Sequence, residues 1–357
     1  MTLLLIGNQP MAYAWGSEHL IQDFAGLGVE GEPAAEVWFG SHKTAPSNIV
    51  GTNQNLGDIA PDLGFLVKFL AAAKPLSIQA HPSLERAMEQ FALGNKSYSD
   101  GNHKPEMIIA VSDFEALCGF RDLAEIRADL ALLASASVEF NDWLVAFDQG
   151  GLKAALEFCF NNNLAELLAQ HVFVLSRSKV QLFQKLSDHF PGDVGVMIGT
   201  ILLRHITLAA GEALFLPAGN IHAYIKGLGV EVMASSDNVL RGGLTPKPID
   251  VPELMQVLDF SPISDPRVRP RKLATGLTHY PANVSDFSVY RVEPSGSNML
   301  IDMELTGSMI AVCTEGEIEI STSKDEFLML ARGQAAFVRD SRLFSVTGSG
   351  AGYLAMG

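Results

Sequence analysis

Hydrophobic and polar positions change their period along the chain. Residues 1–120 contain short apolar runs with strand character, such as VWFG, FLVKFL, LSIQA and MIIAV, separated by turns. Between residues 121 and 200 the apolar positions recur at helical spacing, and Asp122 followed by Glu125 is typical of a helix start. The strand pattern then returns, and after a predicted helix at VPELMQVLDF, residues 267–357 form glycine-punctuated hairpins. The pattern predicts a mainly β chain with a helical insert.

These changes of period also predict the domain organisation. We expect a catalytic β-domain that comprises residues 1–120 and 201–255. An α-helical domain is inserted between them at residues 121–200, and a second β-domain follows at residues 256–357. A length of 357 residues and a hydrophobic content of 48% are enough for several folded cores.

The charge balance limits the partners that this chain can have. Lys and Arg number 25 against 40 Asp and Glu, which gives a formal net charge of −15. Such an acidic surface argues against nucleic acid and against anionic membranes as partners. If the ligand is a small anion, the positive charge that binds it must be local, so the Lys and Arg residues near polar clusters are informative.

The cysteines and the apolar runs favour a cytoplasmic protein. Cys118, Cys159 and Cys313 are far apart and lack CxxC spacing, so reduced, buried thiols are expected. The N-terminal stretch lacks the basic region of a signal peptide. The most apolar stretch is interrupted by Lys68 and Lys74, so no membrane span is expected. We take a monomer as the expected state.

The stretch GEALFLPAGNIHAY has a recognisable spacing. Gly211 suits a tight turn, and Pro217 and Gly219 redirect the chain so that His222 points inward from the next strand. This spacing resembles the second sequence motif of the cupins, small antiparallel barrels that hold a metal, although the usual final Asn is Lys226 here. The alternative is that His222 is an ordinary structural histidine.

Two further stretches place polar side chains on strands. In SIQAHPS, Gln79 and His81 are two residues apart and share a face of an extended chain. In NHKPEMIIA, Lys104 and Glu106 share one face, while His103 takes the other. Glu106 enters an apolar strand, which is costly unless the carboxylate is paired or bound to a metal. A surface Lys–Glu pair is the alternative.

Together these residues form a ligand set suited to one zinc ion. Gln79, His81, Glu106 and His222 offer two imidazole nitrogens and two oxygens. A single carboxylate against a divalent cation leaves the site positively charged, which favours an electrophilic role and attracts anions.

The stretch EVMASSDNVLRGGLTPK follows a predicted strand. Its two cations, Arg241 and Lys247, lie among glycines and a threonine, an arrangement that favours an anion clamp in so acidic a chain. An ordinary solvated loop is the alternative.

At this point the motifs resemble a known family. KPLSIQAHPS, NHKPEM, PAGNIHAY and EVMASSDNVLRGGLTPK occur in the order found in type I phosphomannose isomerases, and AYAWGS and AEVWFGSHKTAPS look similar too. The resemblance spans residues 13 to about 255. It implies a zinc-dependent aldose–ketose isomerase that interconverts mannose-6-phosphate and fructose-6-phosphate through an enediolate.

The resemblance also assigns roles to residues. It implies that zinc is held by Gln79, His81, Glu106 and His222, that Arg241 is essential, and that the helical insert forms one wall of the cleft. The other pocket residues that it implies are Lys104, Glu231, Asp237 and Lys247, with Lys74 and Ser77 at the phosphate end. The stretch GSHKTAPS, which contains His42, is expected to be a surface loop.

The sequence does not identify the general base among several candidates. Lys104 beside the zinc would have its pKa lowered by the cation, and Glu231, Asp237, His103 and a zinc-bound hydroxide are rivals. Strand parity argues against His103, which faces away from Glu106.

The C-terminal β-domain lacks a comparable motif. If Gly333 corresponds to Gly211, the positions of the proline, glycine and histidine are taken by Arg339, Ser341 and Phe344. The expected fold class is therefore two cupin-like antiparallel β-barrels of the jelly-roll type plus an α-helical domain, with metal ligands in the first barrel alone.

Three alternative functions remain. A metal-dependent cupin oxygenase usually has a His-x-His pair, where this chain has Gln79-Ala80-His81. A non-catalytic sugar-phosphate sensor would be expected to lack a ligand or Arg241, and both are present. An isomerase of a different phosphosugar is the third, because epimer preference depends on a single hydroxyl.

Overall fold

A computed structural model of the chain describes residues 3–294, 296–305 and 307–357. Its strands form three sheets, and the named strand pairs are antiparallel. The prediction of a chain rich in antiparallel sheet is confirmed, whereas the two cupin-like barrels and the α-helical domain stay predictions. The strands of the described residues are β1 Leu3–Gly7, β2 Glu36–Phe39, β3 Asn48–Ile49, β4 Phe65–Ala72, β5 Ile78–Ala80, β6 Glu106–Ala110, β7 Phe114–Phe120, β8 Leu203–Leu208, β9 Ala213–Leu216, β10 His222–Ala234, β11 Leu240–Gly243, β12 Arg271–Ala274, β13 Leu277–Tyr280, β14 Ser288–Val292, β15 Gly296–Glu304, β16 Met309–Glu315, β17 Glu317–Thr322, β18 Phe327–Ala331, β19 Ala335–Val338, β20 Leu343–Gly348 and β21 Ala351–Met356.

The longer helices lie between β7 and β8, where the helical spacing was found. Asp122 caps the first of them, because its side chain accepts a hydrogen bond from the Ala124 N–H. In the described part of the chain, no helix is both long enough and apolar enough to cross a membrane. The α-helices are α1 Leu20–Ala25, α2 Leu56–Ile59, α3 Leu84–Ala92, α4 Leu123–Ala136, α5 Asn141–Asn161, α6 Ala165–His171, α7 Arg177–Ser187, α8 Val194–Met197 and α9 Val251–Val257, and a π-helical turn covers Ile198–Leu202.

Strand β10 organises the nine-stranded sheet. Its first residue, His222, pairs with Gln79 of β5 and with Cys118 of β7. Its later residues pair with β4 on one side and with β6 on the other, so that Met233 lies opposite Glu106. Because one strand of 13 residues touches both halves of the sheet, it brings β4, β5, β6 and β7 to a common centre.

Alternation along the strands separates polar from apolar faces at this centre. Ile78 and Ala80 of β5 belong to the core that also contains Trp143 and Leu156 of the helical region. Residues next to them in sequence point the other way, which turns Gln79 away from the helical core. In β4, Val67 and Phe69 likewise enter a core, which directs the intervening Lys68 to the opposite face.

The C-terminal strands form an eight-stranded and a four-stranded sheet. The eight-stranded sheet also contains the first strand of the chain, because Leu3 of β1 pairs with Val338 of β19. The other sheet has the order β15-β20-β17-β18. Strand β1 therefore crosses the boundary that the sequence pattern draws between residues 1–120 and 256–357.

Candidate active site

Three buried side chains from three strand regions meet at one point. His81 immediately follows β5, Glu106 begins β6 and His222 begins β10. The Glu106 Oε2 lies 3.4 Å from the His81 Nε2 and 3.3 Å from the His222 Nε2. All three side chains are at most 2% exposed, so this acidic and basic cluster is shielded from bulk water. We call it the His–Glu–His cluster.

The cluster fits one metal ion. Tetrahedral zinc ligands at about 2.0–2.1 Å from the metal are about 3.3 Å from one another, which is close to the separations found here. Among the described residues, the buried His81 Nε2 and Glu106 Oε2 have no hydrogen-bond partner. Their ligand atoms and that of His222 all lie within 4.8 Å of one another. Unpartnered buried polar atoms are costly, and a metal ion would satisfy them.

The protonation states suit metal binding. Burial lowers the pKa of His81, which favours the neutral imidazole that a metal requires. Burial raises the pKa of Glu106, but the neighbouring His81 and Lys104 lower it more, to well below its usual value. The Lys104 Nζ is 3.4 Å from the Glu106 Oε1. The carboxylate is therefore ionised near neutral pH.

Both imidazoles are oriented from behind by backbone carbonyls. The His81 Nδ1 is 2.7 Å from the Asn238 carbonyl oxygen, and the His222 Nδ1 is 3.0 Å from the Asn220 carbonyl oxygen. With Nδ1 donating to these carbonyls, each ring presents Nε2 to Glu106 as an acceptor. The side-chain amide of Asn238 donates to the carbonyls of Asp100 and Asn102, both at 2.8 Å, and this fixes the loop that carries it.

Gln79 is placed beside the cluster by strand register. It lies opposite His222 of β10 and opposite Arg241 of β11. Its Nε2 is 3.3 Å from the His222 Nε2. Rotation of the amide would present the oxygen at this position instead. Gln79 as a fourth metal ligand stays a prediction.

A polar cavity of about 240 Å³ opens beside the cluster. Its lining includes five of the residues that the sequence assigned to the site: Gln79, Lys104, Glu106, Glu231 and Asp237. Arg241 also lines it and separates it from a neighbouring cavity of about 300 Å³, which Lys96, Ser97 and Ser99 help to line. The two cavities share Asp237, Val239 and Arg241. They could hold a small polar molecule with two distinct ends.

Arg241 borders both cavities of this cleft. The described residues provide no ion pair and no side-chain hydrogen bond to its guanidinium, although partial burial lowers its pKa somewhat. A half-buried and unpartnered guanidinium is suited to binding an anion or a developing negative charge.

Glu231 belongs to a buried network and is held away from solvent. Its Oε2 is 3.1 Å from the Lys68 Nζ, and its Oε1 accepts a hydrogen bond of 3.0 Å from the Tyr224 hydroxyl. Lys68 also contacts Glu36 at 3.2 Å. Burial, with Glu106 and Glu36 close by, raises the pKa of Glu231, although Lys68 opposes this. Burial alone would lower the pKa of Lys68, but Glu36 and Glu231 raise it, so the lysine stays charged.

Asp237 is paired with an imidazole. Its Oδ2 lies 3.3 Å from the His42 Nε2, and both residues line the cavity. Burial lowers the pKa of His42, while Asp237 partly raises it. The net direction is downward, so His42 is neutral at pH 7. A carboxylate backed by a neutral imidazole can accept a proton from a molecule in the cavity.

The remaining predicted residues lie elsewhere. Lys74 and Lys247 are exposed, and with Ser77 they are outside the linings of both cavities. His103 turns away from the cluster, and its Nε2 is 2.8 Å from the Asp286 Oδ1.

Four residues with a defined place in the site are among those that the sequence did not predict. Two of them, Lys68 and His42, line the cavity, and two, Asn220 and Asn238, orient the imidazoles through their backbone. Lys68 left a signal, because a single lysine within the apolar run FLVKFLAA must have a buried partner. The sequence contains no comparable indication for His42. It was expected in a surface loop, but it is only 8% exposed.

The fold and the site define a sheet-rich, antiparallel protein with a buried cluster that could bind a metal ion, beside a polar cleft lined by charges of both signs. Residues 3–123 match the family model of the phosphomannose isomerase type I catalytic domain. A mannose-6-phosphate isomerase of the yeast Ogataea parapolymorpha is 34% identical over 87% of this chain and 84% of its own length. The chain therefore belongs to the mannose-6-phosphate isomerase family.

Solved structures agree with this assignment. A crystal structure of a phosphomannose isomerase variant from Salmonella typhimurium superposes with a TM-score of 0.92 at 29% identity, and the match covers 100% of both chains. A structure of mannose 6-phosphate isomerase bound with zinc and yttrium matches with a TM-score of 0.90 at 28% identity, again over 100% of both chains. His81, Glu106 and His222 could bind one metal ion, and the predicted four-ligand zinc site with Gln79 stays a prediction.

Proposed function

We propose that this protein interconverts mannose-6-phosphate and fructose-6-phosphate in the cleft beside the His–Glu–His cluster. The observation that carries the proposal is the meeting of that cluster with an unpartnered Arg241 across one small polar cavity. The reaction moves one proton between two carbons and another between two oxygens, and it passes through an anionic enediolate. It needs stabilisation of charge on oxygen and a group that carries the carbon proton.

His81, Glu106 and His222 would hold a single zinc ion, with Gln79 as a fourth ligand. When bound, zinc supplies Lewis-acid polarisation of neighbouring oxygen atoms. The net charge at the cluster supports this choice. One ionised carboxylate, Glu106, already faces the ammonium of Lys104, so the addition of a divalent cation leaves the cleft positive and favourable for an anionic ligand.

We assign Lys104 and Arg241 to charge stabilisation. Lys104 is buried and held by Glu106, which fixes its ammonium at the cavity wall. Arg241 has no competing partner among the described residues and presents N–H donors toward the cavity. Donors that are fixed in place before the reaction stabilise an oxyanion without reorganisation during the step.

We assign the carbon proton to Asp237 with His42 behind it. The Asp237 side chain is 37% exposed and borders the cavity, whereas Glu231 is 3% exposed and engaged by Lys68 and Tyr224. Glu231 then acts as a positioning residue that keeps Lys68 and Tyr224 in place. Lys104 is not assigned this role, because its Nζ is engaged by the Glu106 Oε1 at 3.4 Å.

We place the phosphate end of the substrate in the neighbouring cavity. Arg241 borders both cavities, and Lys96, Ser97 and Ser99 extend the second one. Lys74, Ser77 and Lys247 are retained as outer contacts, because they flank the strands of Gln79 and Arg241 in the chain. This leaves the sugar carbons over the His–Glu–His cluster.

We also propose a division of the chain into domains, an oligomeric state and a cellular compartment. We divide the chain into a cupin-like β-domain of residues 1–120 and 201–255, a helical domain of residues 121–200, and a C-terminal cupin-like domain of residues 256–357, to which β1 contributes a strand. One chain carries the whole cluster, which supports a monomer. The three buried free cysteines support a reducing compartment such as the cytoplasm.

The proposal is tested by measuring fructose-6-phosphate formed from mannose-6-phosphate with the wild type and with Arg241→Ala. Removal of a charge-stabilising donor is expected to lower kcat by about 100- to 1,000-fold. Arg127→Ala is the matched control, because Arg127 is an exposed arginine that pairs with Asp148 on the helical region. Turnover that is equal in the two variants would contradict the role of Arg241, and a wild type without turnover would contradict the proposed reaction.

A further inference from the structure

Another cavity lies outside the active-site cleft and is distinct from its two cavities. It has a volume of about 550 Å³ and shares no lining residue with either cavity of the cleft. This volume is in the range typical of small-molecule sites. The lining contains three arginines, four prolines and one asparagine but no acidic residue. Its members are Phe215, Pro217, Asn220, Ile263, Pro266, Arg267, Val268, Arg269, Pro270, Arg271 and Pro281.

The local sequence explains why three arginines meet there. In RVRPR, residues 267–271, the arginines occupy every second position, so an extended chain places them on one face. Pro266 and Pro270 restrict the backbone on either side. The segment is also held against β9, because Val268 donates its N–H to the Ala213 carbonyl over 2.8 Å. The arginine backbones are therefore fixed before any ligand arrives.

The three guanidinium groups are not equivalent. Arg267 is already engaged, with Nη1 3.1 Å from Asp265 Oδ1, Nη2 donating to the Thr207 carbonyl and Nε 3.6 Å from Glu212 Oε1. Arg269 and Arg271 have no ion pair and no side-chain hydrogen bond with any described residue. Two uncompensated cations border one cavity in a chain of net charge −15. Both side chains are exposed, so their guanidinium groups are accessible to an external anion.

An independent observation comes from the buried wall of the cavity. Asn220 is 4% exposed, and its Nδ2 has no hydrogen-bond partner among the described residues. A buried donor without an acceptor is unfavourable, and a ligand oxygen would correct this. The same residue orients His222 of the His–Glu–His cluster through its backbone carbonyl. Asn220 therefore connects the cavity with the His–Glu–His cluster.

We propose that this cavity is a second binding site, which takes a phosphate monoester with an apolar or aromatic body. A phosphate monoester carries a charge of about −1.5 to −2 near pH 7, which matches the two free guanidinium groups. Phe215, Ile263, Val268 and the prolines offer the apolar surface for the body. We favour a small molecule as the occupant, because a volume of about 550 Å³ is in the range of small-molecule sites.

Calorimetric titration of the full chain, loaded with zinc, tests this site with phenyl phosphate, inorganic phosphate and phenol as probes. The double variant Arg269→Gln/Arg271→Gln is expected to lose one equivalent of phenyl phosphate binding, or at least tenfold in its affinity. The control Lys272→Gln/Lys324→Gln removes two exposed charges that do not line the cavity, and it should keep that equivalent. Phenyl phosphate that binds in the active site would appear as a separate equivalent. Arg241→Ala should remove that equivalent, whereas the double arginine variant should not.

The probes separate the parts of the proposal. Phenyl phosphate should bind more tightly than inorganic phosphate, and phenol alone should not bind. Equal affinity for phenyl and inorganic phosphate would overturn the apolar part of the site. Equal loss in both double variants, or loss in neither, would overturn the site itself, as would binding of polyglutamate without binding of phenyl phosphate. A thermal melt of each variant ensures that all comparisons are made on folded protein.

Discussion

At the scale of single residues, the cluster depends on the charge of Glu106. It supplies the carboxylate among the three clustered side chains, and it also holds the ammonium of Lys104. Imidazole ligands add no negative charge, so Glu106 supplies the charge of this ligand set that attracts a dication. The carboxylate therefore links metal binding to the charge of the cavity wall.

Glu106→Gln is expected to abolish stoichiometric zinc binding and to lower isomerase activity at least 100-fold, because the amide keeps the size of the side chain and removes its charge. Metal content by atomic spectrometry, measured beside activity, checks this. Glu115→Gln is the control, since Glu115 of β7 pairs with Lys185 of helix α7 and is not in the cluster. A glutamine variant that retains one zinc per chain would contradict the ligand assignment.

The pair His42 and Asp237 gives a prediction about pH. Burial lowers the pKa of His42 below its usual value of about 6.5, and Asp237 raises it in part. The neutral imidazole is thus favoured, and activity should fall as the pH decreases through the pKa of His42. Asp237→Asn removes the influence that raises this pKa, so the acidic limb of the kcat profile should move to lower pH while the maximum falls.

The pH profiles of the wild type and Asp237→Asn, recorded with zinc in excess, measure this shift. Asp286→Asn is the matched control, because Asp286 pairs with His103 outside the cavity. An acidic limb that stays in place or moves to higher pH in Asp237→Asn would show that His42 does not set it.

At the scale of elements, β4 carries an ion pair network inside an apolar strand. All eight residues of Phe65–Ala72 are buried, and Lys68 alone among them is charged. It is held between Glu36 of β2 and Glu231 of β10, its antiparallel neighbours in the sheet. The network joins three strands. Removal of the Lys68 ammonium leaves the carboxylates of Glu36 and Glu231 without their cation.

Lys68→Met is expected to lower the free energy of unfolding by about 3–5 kcal/mol, because breaking a buried pair leaves uncompensated charge. Lys226→Met, at an exposed position of β10, should change it by no more than about 0.5 kcal/mol. Urea denaturation followed by circular dichroism compares the two. If Glu36→Gln/Lys68→Met/Glu231→Gln is no more stable than Lys68→Met, unpaired charge is not the cause.

The elements also show what sequence reasoning can reach. Alternation in SIQAH and NHKPEM places His81 and Glu106 correctly relative to His103, because the period of a strand is a local property. The turn before His222 follows from Pro217, which fixes its own φ, and from Gly219, which adopts a φ of 79° that favours glycine. Register is not local, so the pairing of Arg241 with Gln79 and of Lys68 with two glutamates required the folded chain.

At the scale of the whole molecule, the first strand joins the C-terminal sheet. Leu3–Gly7 of β1 pairs with Ala335–Val338, although some 330 residues separate them. Periodicity identifies both segments as strands but contains no signal about which strands pair across such a distance. The same limit hid the positioning roles of Asn220 and Asn238, whose backbone carbonyls reach the imidazoles after the chain has folded.

The central claim is that the His–Glu–His cluster holds one zinc ion that isomerisation requires. The most direct measurement is the rate of fructose-6-phosphate formation from mannose-6-phosphate by the purified protein, first untreated, then after chelator treatment, and then after addition of one equivalent of zinc. We expect activity to disappear with the metal and to return with that equivalent, while circular dichroism shows the chain folded throughout. Undiminished activity of the metal-free protein would contradict the claim, and so would a folded, zinc-loaded protein without activity.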